Sequence, residues 1–149
     1  MDRAAGYELD LEVLTKVMGG SVVNVDSTTA PFGVKLPGSK DFNPFGPEAG
    51  MASSGCAFSR LDAAAMRVVD EMVRRGWNPT LDRMPGSGVW AVAFHRDAGD
   101  TYLSANHADR RVAICLAALQ AVAAATDSGK DTSASNADAH SMTAPEGPR

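Results

Sequence analysis

Two kinds of side chain in this sequence could do chemistry: histidines, and arginines at the starts of helices. His95 and His107 could transfer protons, because an unperturbed imidazole titrates near neutral pH. Neither has a serine, a cysteine or a second histidine at a spacing that would fix a catalytic triad or a metal site. Each lies at the end of a predicted strand, where a polar residue needs no catalytic explanation. We therefore predict no catalytic residue and expect that the protein is not an enzyme.

The acidic and glycine-rich turns do not predict a metal or cofactor site. Asp97 and Asp100 lie in a predicted hairpin turn, where aspartate commonly bonds to the local backbone. Residues 86–88 read Gly-Ser-Gly, which is too short for a phosphate-binding loop and lacks the lysine and the helix that such a loop needs. We expect no metal ion and no cofactor.

Two predicted helix starts carry cationic side chains close to aromatic residues. Unpaired backbone N–H groups and the positive end of the helix dipole attract anions there, and an arginine adds a two-pronged hydrogen-bond partner. An aromatic face beside such a start could hold a nucleotide base while the arginine holds its phosphate. The sequence therefore predicts a ligand-binding site formed by Phe58, Ser59, Arg60, Trp77, His107, Arg110 and Arg111.

A structural interpretation of the same arginines stays open. They could instead form surface ion pairs with Asp62, Asp70 or Asp109, which lie on or beside the same helices. Trp77 could cover an edge of the fold rather than face a ligand, and Trp90 is expected in the core.

Apolar periodicity predicts the helices that must position these residues, at about 5–18, 59–76 and 108–125. The first places Asp10 on its polar face. Ser59 and Asp62 resemble a capping box at the start of the second, because a hydroxyl and a carboxylate three residues later satisfy the first backbone N–H groups. Asn106 or Asp109 can cap the third.

Alternation of β-branched and aromatic residues predicts a short antiparallel meander between the second and third helices. Its strongest strand is 89–94, which reads VWAVAF, and the chain returns through 101–105. A preceding strand at 77–84 is weakened by Pro79, which cannot donate a backbone hydrogen bond. Another short strand is possible at 21–26.

Composition predicts one domain at 1–126, with an irregular segment inside it and another after it. The hydrophobic fraction of 44% and the charged fraction of 21% are ordinary for a globular chain of 149 residues. Residues 19–58 are dense in glycine and proline, so we expect a long loop insert there. Residues 127–149 lack aromatic and β-branched aliphatic side chains and are expected to form a disordered tail.

Charge and cysteine content restrict the partners and the compartment. A net charge of −4 offers no basic surface for the phosphate backbone, so nucleic acid is an unexpected partner. Cys56 and Cys115 lie far apart in sequence and are interpreted as free thiols in a reducing compartment. The first residues do not read as a secretory leader and no apolar stretch is long enough to span a membrane. We therefore expect a cytoplasmic protein.

Four segments resemble the phage ABA-sandwich domain, a family of small proteins from tailed phages and prophages. They read GYELDLEVLTKVMGG at 6–20, AFSRLDAAAMRVVDEM at 57–72, VWAVAF at 89–94 and RVAICLAALQAV at 111–122. The resemblance implies an α+β fold in which a central antiparallel sheet has helices on both faces, a three-layer α/β/α sandwich. It implies no catalytic residues.

These observations predict a phage accessory protein that binds and sequesters a small anionic host molecule in the bacterial cytosol, such as a nucleotide signal of antiviral defence. A first alternative is a protein-interaction or structural module that contacts its partner through the aromatic loop at 31–58. A second is a nucleotide hydrolase that uses His95 or His107. We also expect a homo-oligomer, because a thin sheet has edges to cover and Trp77 could supply apolar surface.

Overall fold

The computed structural model describes residues 3–25, 31–47, 55–96 and 102–143. Within these ranges the elements follow in the order α1 (Tyr7–Lys16), β1 (Ser21–Asn24), β2 (Phe32–Lys35), β3 (Asn43–Phe45), α2 (Asp62–Arg74), β4 (Asn78–Arg83), β5 (Trp90–His95), β6 (Tyr102–His107) and α3 (Arg110–Thr143). The predicted turn at 97–100 lies outside the described residues.

Helix α1 buries a wider face than its apolar stripe alone, and that face includes a carboxylate. The buried residues are Leu9, Asp10, Val13 and Leu14, so the prediction of a polar, solvent-facing Asp10 is wrong. A carboxylate can occupy this stripe because it meets an arginine and a backbone N–H from elsewhere in the chain. The chain leaves the helix as predicted through Gly19, whose φ of 72° lies in the left-handed region that glycine favours.

A first antiparallel sheet, in the order β1-β2-β3, occupies part of the segment 19–58 that was expected to be a long loop. Its strands are only three or four residues long, so breakers between them left no clear alternation in the sequence. Gly33 lies opposite Pro44, which is tolerated because β3 is an edge strand. Val34 and Phe45 anchor the sheet in the core.

The second sheet, in the order β4-β5-β6, confirms the predicted antiparallel meander and the α+β class. One side of it joins the core through Val92, Phe94 and Ala105. The opposite side carries exposed Asp82 and Ser104. The described residues therefore do not confirm a three-layer sandwich with helices on both faces of one sheet.

Helix α2 starts without the predicted capping box. Its N-cap is Leu61, which makes no side-chain cap hydrogen bond, and Ser59 bonds to α1 instead. The predicted apolar stripe is confirmed, since the buried residues are Ala64, Ala65, Val68, Val69 and Met72.

Helix α3 lies at the centre of the fold and contacts β5, β6, α1 and α2. Its residues 112–118 are all buried, as expected for a helix with neighbours on every side. Oδ1 of Asp109 accepts from the backbone N–H of Arg111 at 2.9 Å, which confirms the predicted cap. The backbone stays helical beyond the expected end near 125, because a formed helix propagates by one hydrogen bond per residue without an apolar stripe. That the fold does not need residues 127–149 remains a prediction.

Candidate functional site

The first half of the predicted site is buried and joins two helices. Phe58 and Ser59 have no exposed surface. The backbone N–H of Ser59 donates to Oδ1 of Asp10 at 2.6 Å, and its hydroxyl donates to the carbonyl of Gly6 at 3.2 Å. These bonds hold the start of α1 against the approach to α2, so Phe58 and Ser59 have no free surface for a ligand.

Arg60 completes this buried cluster. Its Nε donates to Oδ2 of Asp10 at 2.6 Å, with the two side chains 9% and 0% exposed. Its Nη1 donates to the carbonyls of Gly46 and Pro47 at 3.1 and 2.9 Å, and its Cζ lies 5.2 Å from the ring centre of Phe45. Arg60 therefore holds the fold together and is not an exposed anion ligand.

Trp77 is also unavailable as a stacking platform. It is 2% exposed, and the guanidinium carbon of Arg96 lies 4.2 Å from its ring centre. Trp77 consequently offers no apolar surface of the kind that was expected to support a homo-oligomer. The oligomer itself remains a prediction.

The second half of the predicted site lies beside the first, because the starts of α2 and α3 meet. Nη1 of Arg111 donates to the backbone carbonyl of Arg60 at 2.6 Å, and Nη2 of Arg110 lies 3.3 Å from Oδ1 of Asp62. The alternative interpretation, in which these arginines form ion pairs with nearby aspartates, therefore fits Arg111. It bonds Asp109 through Nε at 3.0 Å and Nη2 at 3.1 Å.

These contacts set the electrostatics of the α3 start. Burial alone would raise the pKa of Asp109, but the hydrogen bonds from Arg111 lower it below its ordinary value. Nδ1 of His107 accepts from the backbone N–H of Asp109 at 2.9 Å, so a neutral His107 carries its proton on Nε2. Arg110 is the most accessible member, 39% exposed and 5.3 Å from the ring centre of Trp90.

A second cationic region, not predicted as a site, lies at the other end of α2. A groove of about 670 Å³ opens between α2, the end of α1 and the residues after β2. We call it the arginine groove; it is lined by Met18, Gly19, Leu36, Pro37, Arg67, Asp70, Glu71, Arg74 and Arg75. Its volume is within the range of small-molecule sites, and it combines an apolar part with a few charged groups.

Glu71 holds two of the groove's arginines in fixed orientations. Arg74 donates to it through Nε at 3.0 Å and Nη2 at 2.6 Å, and Nε of Arg75 donates at 2.9 Å. Arg75 also donates through Nη2 to the carbonyl of Val17 at the end of α1. The hydrogen bonds from Arg74 and then Arg75 lower the pKa of Glu71 below its ordinary value.

Arg67 is the most available cation in the groove. It is exposed, and no carboxylate of the described residues lies within ion-pair distance of it. A β-carbon at Gly55 would collide with Nη1 of Arg67, so the missing side chain there leaves room for the guanidinium. The groove therefore contains one open arginine and two that share an internal carboxylate.

The groove offers few groups for catalysis: the carboxylates among its lining residues are Asp70 and Glu71, and Glu71 is paired with Arg74 and Arg75. None of its lining residues is a histidine, cysteine, serine or threonine. Across the described ranges, no three His, Cys, Asp or Glu side chains cluster closely enough to hold a metal ion. Cys56 and Cys115 are both buried and not joined in a disulfide, and burial raises the pKa of Cys115 well above its ordinary value, which disfavours the reactive thiolate.

Comparison with known proteins adds no family to this geometry: no family profile, no curated protein and no solved structure matches the chain. No helix among the described residues has the length and apolar character to cross a membrane.

The sequence contained one signal for the arginine groove. Arg67 and Arg74 are seven residues apart, which puts them on the same side of a helix, but charged residues on one side of a helix usually mean only a face exposed to solvent. What the sequence could not give is the approach of Leu36 and Pro37, which lie some thirty residues earlier and turn a helix face into a groove.

Proposed function

We propose that this protein is a noncatalytic binding protein that captures and sequesters a small organic anion, of which a nucleotide is the leading example, in the arginine groove. The observation that supports this best is the open guanidinium of Arg67 in a groove of about 670 Å³ that also contains Arg74 and Arg75. Arginine binds phosphate and carboxylate through parallel N–H groups, and it does so best where the site already holds its side chain in place.

The apolar part of the groove favours an organic anion over a simple inorganic ion. Met18, Leu36 and Pro37 line it beside the charged helix face. A ligand that has both an anionic group and an apolar or aromatic part would use both kinds of surface, whereas inorganic phosphate would use only the arginines.

The biological setting of the proposal comes from the sequence. The resemblance of four segments to the phage ABA-sandwich domain supports a phage accessory role in the bacterial cytosol, where a captured host nucleotide would be withheld from antiviral signalling. The same resemblance supports a fully covered, three-layer sheet. Sequestration needs tight binding and no turnover, which suits a groove whose lining has no histidine, cysteine, serine or threonine and whose Glu71 is paired with two arginines.

A panel of ligands tests the proposal. Nucleoside mono-, di- and triphosphates, cyclic mono- and dinucleotides and dicarboxylates are screened by thermal shift, and those that bind are incubated with the protein and recovered for mass spectrometry. We expect at least one organic anion to raise the melting temperature and to be recovered unchanged. No shift with any member would reject the proposed function, and a chemically altered ligand would show an enzyme instead.

A matched pair of variants locates the binding. Arg67→Gln removes the open cation from the groove, and Arg83→Gln removes an exposed cation from β4, which does not line it. The two variants change the net charge equally. We expect the thermal shift to be lost in Arg67→Gln and retained in Arg83→Gln.

A further inference from the structure

The charges of the arginine groove form an ordered series along one side of α2. Arg67 lies at one end, Arg74 and Arg75 lie at the other, and Asp70 and Glu71 lie between them. Seven residues of α-helix make nearly two full turns, so the positions of Arg67 and Arg74 face the same way about 10 Å apart. The groove is therefore positive at both ends and negative in the middle.

Both positive ends of the groove have arginine N–H groups that can donate hydrogen bonds to a ligand. Arg67 makes no ion pair with any carboxylate in the described ranges. At the other end, Arg74 uses Nε and Nη2 for Glu71, and Arg75 uses Nε and Nη2 for Glu71 and the carbonyl of Val17. In both residues Nη1 is not used in these contacts, and the side chain of Arg74 is 71% exposed. An anion can therefore approach this end while Glu71 keeps the two guanidinium groups in place.

The middle of the groove disfavours charge in the corresponding part of a ligand. Asp70 makes no ion pair in the described ranges, whereas Glu71 is already paired with Arg74 and Arg75. A phosphate or carboxylate placed over Asp70 would face a like charge, which costs binding energy. A neutral segment avoids that cost and can contact the apolar surface of Leu36 and Pro37 across the groove.

From this pattern we propose that the groove selects molecules with two anionic groups, phosphate or carboxylate, joined by a neutral and largely apolar body that spans the two helical turns, about 10 Å at the backbone, between Arg67 and Arg74. One group binds Arg67 and the other binds Arg74 and Arg75. This inference rests on the proposed function and narrows it, because a compact anion with all its charge at one point can use only one end.

A series of synthetic ligands tests the spacing. Alkanediyl bisphosphates whose phosphates are about 5, 10 and 15 Å apart when extended, spanning the separation set by two helical turns, are titrated by calorimetry against alkyl monophosphates of the same chain lengths. We expect the ligand of intermediate length to bind at least about tenfold more tightly than its monophosphate, since it gains a second charge-assisted contact. The shortest bisphosphate should show little of this gain.

Variants identify the two ends. Arg67→Gln and Arg74→Gln should each reduce the affinity for the intermediate bisphosphate to that for its monophosphate, and Arg83→Gln should leave the difference unchanged.

Equal affinity for bisphosphates and monophosphates at every length would overturn the two-anion inference and leave anion capture standing. Affinity that rises steadily with chain length and is insensitive to both arginine variants would also overturn it, because apolar contact alone would then explain binding. No binding of any compound, together with a silent ligand panel, would reject the proposed function as well.

Discussion

Each end of helix α2 brings an arginine against α1, Arg60 at Asp10 and Arg75 at Val17, and the two ends use their arginines in opposite ways. At the start of α2, Arg60 is 9% exposed and bonds a fully buried carboxylate of Asp10. At the far end, Arg74 is 71% exposed and bonds Glu71, which itself retains access to solvent. An arginine–carboxylate pair thus holds two buried elements together at one end of α2 and lines an open groove at the other.

The difference follows from desolvation. A buried guanidinium must have its charge and its N–H groups satisfied within the protein, because an unpaired buried charge costs several kcal/mol. Asp10 neutralises the charge of Arg60 and bonds its Nε, and the carbonyls of Gly46 and Pro47 accept from its Nη1, whereas its buried Nη2 has no hydrogen-bond partner among the described residues. An exposed arginine has water as an alternative partner, so it can exchange that water for a ligand at little cost. Burial, more than residue type or position at a helix end, decides which arginine is available to bind a ligand.

The largest expected effect is at the buried joint. Asp10→Ala leaves the guanidinium of Arg60 buried without its carboxylate, so we expect a loss of about 3 to 5 kcal/mol in the free energy of unfolding. Asp70→Ala removes a carboxylate from the exposed face of α2 and should change stability by less than about 0.5 kcal/mol. Urea denaturation of both variants measures the contrast. Similar small losses would mean that the Asp10–Arg60 pair does not hold the two elements together.

A smaller effect should appear at the groove end as a dependence of stability on pH. The folded-state pKa of Glu71 is lowered from its ordinary value of 4.5, so its carboxylate stabilises the fold above that pH and loses this contribution as the pH falls through the lowered value. Because Arg74 is largely exposed and solvent screens its charge, we expect less than about 1 kcal/mol. Denaturation of the wild type and Glu71→Gln should give a stability difference that is constant above about pH 5 and shrinks below the ordinary pKa. A difference that grows on acidification would contradict the assigned direction.

The smallest expected effect concerns the end of the chain. Residues 127–149 contain one methionine and no aromatic or β-branched aliphatic residue, so they have little apolar area to add to the core. We expect a chain that ends at residue 126 to melt within a few degrees of the full-length protein by circular dichroism. A drop of more than about 4 °C, which corresponds to a loss of 1 kcal/mol or more for a chain of this length, would show that the second half of α3 stabilises the fold.

The elements that sequence predicted well are those held by local pattern. The stripe of α2 and the hairpin of β5 and β6 depend on residues a few positions apart, and both are confirmed. The Asp10–Arg60 pair joins residues 50 positions apart in sequence, so the sequence around Asp10 does not identify its partner. The burial of Phe58, Ser59 and Arg60 could not be predicted for the same reason: a helix start can be recognised locally, but distant parts of the chain decide whether it is buried.

The most direct test of the account compares charge reversal at the two regions. The nucleotide that gives the largest thermal shift is titrated by calorimetry into the wild type, Arg67→Glu in the groove and Arg110→Glu at the start of α3. At physiological salt, where screening acts over about 8 Å, we expect Arg67→Glu to weaken binding by about tenfold or more, since a charge-assisted contact is replaced by repulsion. Arg110→Glu should weaken it by less than about twofold at that screening length. A loss confined to Arg110→Glu would return the site to the helix starts and contradict the assignment to the arginine groove.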